Sequence, residues 1–126
     1  GWATPASFGA AVAAPKRRVL LITGDGSHQL TAQEISQFAL YDLKPIILCL
    51  NNSAYVIENE LAVKPNMRYN NSLPAWNYHL LPEAFGIMDW HTVKVSSNGE
   101  LQDALKTAET CGTGVYIDPY SYYYCR

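Results

Sequence analysis

Residues 18–26 read Arg-Val-Leu-Leu-Ile-Thr-Gly-Asp-Gly, an apolar run that ends in an aspartate between two glycines. Residues 45–52 read Pro-Ile-Ile-Leu-Cys-Leu-Asn-Asn, a second apolar run that ends in two asparagines. Each run is short, aliphatic and bounded by residues that favour turns, which is typical of a buried strand. We therefore predict strands over 18–23 and 45–50, each with a polar turn at its carboxyl end.

The segments around these two strands alternate between helical and strand patterns. Apolar spacing and the positions of proline and glycine predict helices over 5–14, 29–41, 55–61 and 99–110, a helical turn over 82–85, an irregular loop over 63–79, and strands over 90–95 and 114–117. Strands joined by helices imply an α/β fold in which helices cover both faces of a mostly parallel sheet. A length of 126 residues gives room for one domain.

The composition excludes several classes of function. The chain is 48% hydrophobic and 16% charged with a net charge of −2, so it has no basic footprint for nucleic acid or for an anionic membrane. No apolar run approaches the ~18 residues of a spanning helix, and no basic and then apolar leader opens the sequence. The three cysteines, Cys49, Cys111 and Cys125, have no CxxC spacing, and we expect free thiols in a reducing, cytoplasmic protein.

The two polar turns predict a site for a cation and a phosphate group. Ligands of parallel α/β sheets bind beyond the carboxyl ends of the strands, so Asp25 and Asn52 are expected there side by side. Their oxygen atoms suit Mg²⁺, which keeps phosphate oxygens and water among its ligands. Glycine on both sides of Asp25 would let backbone N–H groups approach a diphosphate, and the helix predicted from Gln29 would point its positive end at that anion. An ordinary strand-to-helix junction with an unrelated Asn-Asn turn is the alternative.

The residues around these turns resemble the thiamine-diphosphate-dependent 2-oxo acid decarboxylases, of the pyruvate and indolepyruvate decarboxylase type. The resemblance is carried by Gly-Asp-Gly-Ser at 24–27, Gln-Leu-Thr-Ala-Gln-Glu at 29–34, Leu-Asn-Asn at 50–52, and Tyr55, Ile57 and Glu58. It extends from Gly1 to about residue 95 and implies one partial thiamine-diphosphate-binding domain over residues 1–126, truncated at its amino-terminal side. Thiamine diphosphate and Mg²⁺ are the cofactors that it implies, and the carbanion chemistry would belong to the thiamine diphosphate.

The resemblance also implies roles for single residues. The family's Mg²⁺ ligands match Asp25, Asn52 and the backbone oxygen of Ala54. The family's cofactor-binding residues match Gly24, Asp25, Gly26, Ser27, Asn52, Tyr55 and Ile57. Glu58 matches an acidic residue that faces the thiazolium ring and manages protons during decarboxylation and product release.

Some positions depart from the family's pattern. Ala54 stands where glycine is usual, and its carbonyl remains a ligand only if the backbone there avoids positive φ. Val56 replaces a threonine, and His28 replaces an apolar residue. We expect His28 to be a surface residue at the start of a helix, with a position facing the diphosphate as the alternative. His79 and His91 have no partners at metal-ligand spacing, and residues 120–126 have no counterpart in the family.

Members of the family are several times longer than this chain and build each active site between two subunits. Their activating glutamate, paired histidines and a further aspartate belong to an amino-terminal domain that residues 1–126 lack. We therefore expect a homo-oligomer that is inactive without this domain or a partner chain, with a small 2-oxo acid as substrate. Pyruvate is favoured because Ile57 and Leu61 are bulky where the substrate pocket would lie. The alternatives are a noncatalytic regulatory or assembly module, or an unrelated α/β phosphate binder.

Overall fold

The computed structural model describes residues 1–62 and 73–120, and these ranges form alternating helices and strands. The helices are α1 (Ala3–Ala13), α2 (Asp25–Gln29), α3 (Ile35–Leu40), α4 (Val56–Leu61), α5 (Leu81–Ala84) and α6 (Asn98–Thr110), with 3₁₀ turns at Ala32–Glu34 and Tyr78–Leu80. The strands are β1 (Leu20–Gly24), β2 (Ile46–Leu50), β3 (His91–Val95) and β4 (Val115–Pro119). The predicted strands are confirmed, with ends that differ by one or two residues.

The four strands form one parallel sheet in the order β1-β2-β4-β3. The register of β1 against β2 runs from Leu20 opposite Ile46 to Gly24 opposite Leu50. The two strands therefore end level with each other, and the turns that follow them leave the sheet side by side. This register confirms the predicted α/β fold and brings the two polar turns to one edge of the sheet.

Helices pack against both faces of this sheet. On one face, Phe38 of α3 and Ala11 of α1 belong with Ile47 to the larger apolar cluster. On the other face, Ala104 and Ala108 of α6 belong to a second apolar cluster with residues of β3 and β4. Successive side chains of a strand point to opposite faces, so a continuous apolar strand makes both faces of the sheet apolar, as parallel sheets require.

The prediction of one continuous helix over 29–41 is wrong. Helix α2 begins earlier, at Asp25, and ends at Gln29, and α3 begins only at Ile35 after a 3₁₀ turn. Thr31 breaks the helix with a φ of −145°, and its hydroxyl donates to the carbonyl oxygen of Gly1 at 2.7 Å. Leu30, which the apolar spacing over 29–41 would place on the buried side of one continuous helix, is 67% exposed. Tertiary contacts, which bury Ile35 completely, therefore outweigh the helical pattern of the segment.

Arg18 lies just before β1, and its guanidinium group connects backbone segments at the end of the sheet where the strands begin. It donates to the carbonyl oxygens of Lys44 at 2.9 Å, Ala108 at 2.6 Å, Cys111 at 3.0 Å and Thr113 at 2.6 Å. Carbonyl groups at the end of a helix have no partner inside the helix, and Arg18 supplies donors to Ala108 in the last turn of α6 and to Cys111 and Thr113 after it.

Residues 63–72 of the predicted loop over 63–79, and residues 121–126 of the segment 120–126, lie outside the described residues. Residues 73–77 belong to no helix or strand, as predicted, and a 3₁₀ turn follows them. None of the helices in the described ranges is long and apolar enough to cross a membrane.

Candidate cofactor and metal site

Asp25 is the buried acidic residue of the site, because it opens α2 directly after β1. Its side chain is 2% exposed, and its two carboxyl oxygens accept from the N–H of Gly26 at 2.8 Å and of Ser53 at 2.6 Å. Burial raises the pKa of the Asp25 carboxyl above its ordinary value, and these N–H groups oppose part of the shift. Within residues 1–62 and 73–120, no basic side chain lies within ion-pair distance of it. A buried carboxyl without a cation is a group that a divalent metal ion would stabilise, so this donor fits Mg²⁺.

The turn that follows β2 supplies the neighbouring oxygen ligands. The side-chain oxygen of Asn52 accepts from the N–H of Ala54 at 3.1 Å, which leaves a second lone pair of this oxygen for a metal ion. Ser53 has a φ of 58°, and this left-handed conformation accompanies the hydrogen bond from its N–H to Asp25. Among the described residues only Asp42 and Ser53 combine a side chain with positive φ. Ala54 therefore meets the backbone condition that its replacement of glycine imposes.

Tyr55 covers the turn after β1. Its hydroxyl donates to the carbonyl oxygen of Gly26 at 2.7 Å, and a Cβ atom at Gly26 would overlap the tyrosine ring. Gly26 is therefore required for the close approach of this ring. Gly24 has open space where a Cβ would lie and an extended backbone with φ of −84°. The two glycines of the motif thus differ, because the tyrosine ring requires glycine at position 26, whereas packing does not require it at position 24.

All the predicted site residues line one cavity of about 510 Å³. They are Gly24, Asp25, Gly26, Ser27, Asn52, Ala54, Tyr55, Ile57 and Glu58. Glu58 is exposed in the first turn of α4, and Ile57 beside it is 61% exposed, so α4 forms an open side of the cavity. The structure brings these residues together, and the individual roles of these residues remain predictions.

The donors at this cavity suit a hard cation with few protein ligands. The described ranges contain no group of three His, Cys, Asp or Glu side chains that could hold a metal ion. A metal ion at Asp25 would therefore depend on amide, carbonyl and phosphate oxygens for its remaining ligands. This donor set suits Mg²⁺, which binds few protein carboxylates and accepts phosphate oxygens and water.

The expectation of a surface position for His28 is wrong. His28 is fully buried, its Nδ1 lies 3.0 Å from the hydroxyl of Thr4 in α1, and its ring centroid lies 5.9 Å from that of Tyr116 in β4. Burial lowers the pKa of His28 to about 4, so the ring is neutral at pH 7. The early start of α2 explains the error, because it turns this residue towards the core between α1 and the sheet.

Sequence reasoning missed two residues that lie beside the cavity without lining it, Ser53 and Asp118. Nothing in the sequence distinguishes Ser53 as the residue with positive φ in the turn after β2. Asp118 at the end of β4 is 1% exposed and binds Asn51, and the acidic residue within the apolar run 115–119 was the signal for it.

Comparisons with known proteins agree with this arrangement. The model of the family described as thiamine pyrophosphate enzyme, C-terminal TPP binding domain, matches residues 1–118. An alpha-keto-acid decarboxylase of Mycobacterium avium is 40% identical over 108 residues, which are 86% of this chain and 19% of that protein. A pyruvate decarboxylase of Neurospora crassa is 40% identical over 112 residues, which are 87% of this chain and 19% of that protein.

A solved structure gives the same fold. The thiamine diphosphate-dependent 4-hydroxybenzoylformate decarboxylase of Rhodococcus jostii RHA1 matches with a TM-score of 0.81 and 23% identity, over 97% of this chain and 23% of that one. The chain thus spans 19% of the length of the two decarboxylases it matches in sequence. Because the family model covers residues 1–118, the chain belongs to the thiamine pyrophosphate enzymes, as a C-terminal TPP-binding domain of the 2-oxo acid decarboxylase family.

Proposed function

We propose that this chain supplies the diphosphate-binding and Mg²⁺-binding half of a thiamine-diphosphate-dependent decarboxylase that converts a 2-oxo acid into CO₂ and an aldehyde. The observation that carries this proposal is the 2.6 Å hydrogen bond from Ser53 N–H to Asp25 Oδ2. It joins the turns after β1 and β2 at the cavity that every predicted site residue lines. When bound, thiamine diphosphate supplies the electron sink for the carbanion.

Asp25, Asn52 and Ala54 would hold Mg²⁺ through one carboxylate, one amide and one backbone oxygen. The Asp25 carboxylate is desolvated, so a metal ion would gain a strong interaction there and would relieve the cost of burying the charge. Ser27 and the open space beside Gly24 would bind the diphosphate.

Glu58 would hold and transfer the proton at the reacting carbon atom of the substrate. It stands in the first turn of α4 beside Ile57, which is 61% exposed, and one turn before Leu61, which is 73% exposed. These apolar side chains favour a small substrate such as pyruvate. We infer that an amino-terminal domain or a partner chain, in a cytoplasmic homo-oligomer, covers them and completes the site, because large exposed apolar patches usually mark interfaces.

The alternative is a noncatalytic cofactor-binding or regulatory module derived from such an enzyme. Val56, which replaces a threonine at the cavity, favours this alternative. Ala54 does not favour it, because its backbone avoids positive φ.

Titration of thiamine diphosphate with Mg²⁺ into the chain, with Asp25→Ala as the control, tests the proposal. We expect saturable binding to the unmodified chain and loss of Mg²⁺-dependent binding in the variant. Absence of binding even after addition of an amino-terminal chain from a related decarboxylase would refute the proposed function. Pyruvate turnover in that mixture would refute the noncatalytic alternative, and binding without turnover of any 2-oxo acid would support it.

A further inference from the structure

We propose that Asp118 is a positioning residue for the metal site, because through Asn51 it holds the turn 51–54 over Asp25. The part of this inference that concerns Mg²⁺ rests on the proposed function. The part that concerns the shape of the turn does not.

A hydrogen bond to Asp118 connects the start of this turn to β4. The side-chain N–H of Asn51 donates to Oδ1 of Asp118 at 3.1 Å, and the two residues are 5% and 1% exposed. The backbone N–H of Asn51 donates to the carbonyl oxygen of Pro119 at 2.9 Å. Asn51 is therefore bound to the neighbouring strand by both its backbone and its side chain at the point where β2 ends.

The other end of the turn reaches the strand on the opposite side of β2. The hydroxyl of Ser53 donates to the side-chain oxygen of Asn51 at 3.4 Å, and the N–H of Ser53 donates to Asp25 at 2.6 Å. Two residues, Asn51 and Ser53, thus connect the buried carboxyl of Asp118 on β4 with the buried carboxyl after β1. Asn52, a predicted metal ligand, lies between these two attachment points.

The chemistry of Asp118 supports a positioning role. An unpaired carboxylate is costly to bury, and the side-chain N–H of Asn51 reduces this cost for Asp118. The Nδ1 of His79 lies 3.6 Å from Oδ2, beyond hydrogen-bond distance. A partner that orients the ligand-bearing segment of a metal site commonly changes metal affinity when it is removed, although it never touches the metal ion.

The first test measures the turn in the full chain without cofactor. Asp118→Ala removes the acceptor of Asn51, Asp118→Asn keeps a carbonyl oxygen for it, and Val115→Ala is a control at a fully buried apolar residue of the same strand. We expect amide hydrogen exchange of Ser53, relative to that of Ile47 in β2, to accelerate about tenfold in Asp118→Ala only. An unchanged ratio in Asp118→Ala would overturn the proposal, whether or not the chain binds thiamine diphosphate.

The second test measures Mg²⁺ affinity by titration at saturating thiamine diphosphate. We expect Asp118→Ala to raise the Kd of Mg²⁺ about tenfold or more, with Asp118→Asn within about twofold of the unmodified chain and Val115→Ala unchanged. An equal loss of affinity in Asp118→Asn, or in Val115→Ala, would overturn a specific role of the acceptor oxygen.

A double-mutant cycle identifies the route of the effect. Asn51→Ala removes the same hydrogen bond from its other side and also the acceptor of the Ser53 hydroxyl, so the variant with both substitutions should lose no more Mg²⁺ affinity than Asn51→Ala alone. Losses that multiply would overturn the connection through Asn51. Asn51→Ala also serves as the test variant if Asp118→Ala fails to fold.

Discussion

Replacement of Gly26 by alanine tests the close packing of Tyr55 over the glycine turn. A Cβ atom at this position would meet the Cε1, Cζ and Cδ1 atoms of the tyrosine ring at distances that real side chains do not adopt. The ring must therefore move, and the 2.7 Å hydrogen bond from its hydroxyl to the carbonyl oxygen of Gly26 must break.

Three terms determine the size of the effect on the free energy of unfolding. Relief of the overlap costs about 1–3 kcal/mol, as in other overpacked sites. Loss of the hydrogen bond costs about 0.5–1.5 kcal/mol, whereas alanine gains about 1 kcal/mol over glycine within a helix. We therefore expect Gly26→Ala to lower the stability of the chain by roughly 0.5–3.5 kcal/mol.

Urea denaturation measures this difference, and Gly9→Ala is the matched control. Gly9 also lies in a helix, and a Cβ atom there would have no heavy atom within 4 Å. The control should stabilise the chain by up to about 1 kcal/mol. In a Tyr55→Ala background, Gly26→Ala should become stabilising like the control, because the clash is gone. A Gly26→Ala variant as stable as Gly9→Ala in the presence of Tyr55 would refute the packing described here.

Three further predictions concern other parts of the chain. Because burial lowers the pKa of His28 from 6.5 to about 4, the unfolded chain binds more protons than the folded chain between these values. Stability should therefore fall by about 3 kcal/mol as the pH drops from 6.5 to 4, and His28→Gln should flatten this part of the pH profile in urea denaturation. Arg18→Ala should lower the free energy of unfolding by about 1–3 kcal/mol, because the hydrogen bonds of Arg18 to carbonyl oxygens are lost. Arg18→Lys should not restore the stability, because an ammonium group lacks the planar fork of a guanidinium group. Equal urea midpoints for the lysine variant and the unmodified chain would contradict this prediction. Burial raises the pKa of the Cys49 thiol to about 12. In a Cys125→Ser background, a thiol reagent should therefore modify Cys111 first and Cys49 only on unfolding, as peptide mass mapping will measure. Equal rates of modification of the two cysteines in the folded chain would exclude the described burial of Cys49.

Local patterns in the sequence determined the strands and the polar turns after them. The aliphatic runs 18–23 and 45–50 lie against each other in register, because consecutive strands joined by a helix usually pair in parallel. Since both strands end level, Asp25 and the Asn-Asn turn had to meet at one edge of the sheet. The sequence pattern therefore located Gly24, Asp25, Gly26 and Asn52 at the cavity, and the resemblance to the decarboxylases added Ser27, Ala54, Tyr55, Ile57 and Glu58, which also line it.

Tertiary structure decided the features that depend on distant neighbours. The left-handed backbone of Ser53 accompanies its hydrogen bond to Asp25, 28 positions earlier in the chain. His28 is buried because α1 and β4 surround it, and Asp118 reaches Asn51 because β4 lies beside β2. Periodicity describes which side of an element is apolar, but it carries no information about which other element covers that side. The sequence by itself thus determined where the site lies, and only the packing of distant segments decided how its backbone and buried polar groups are held.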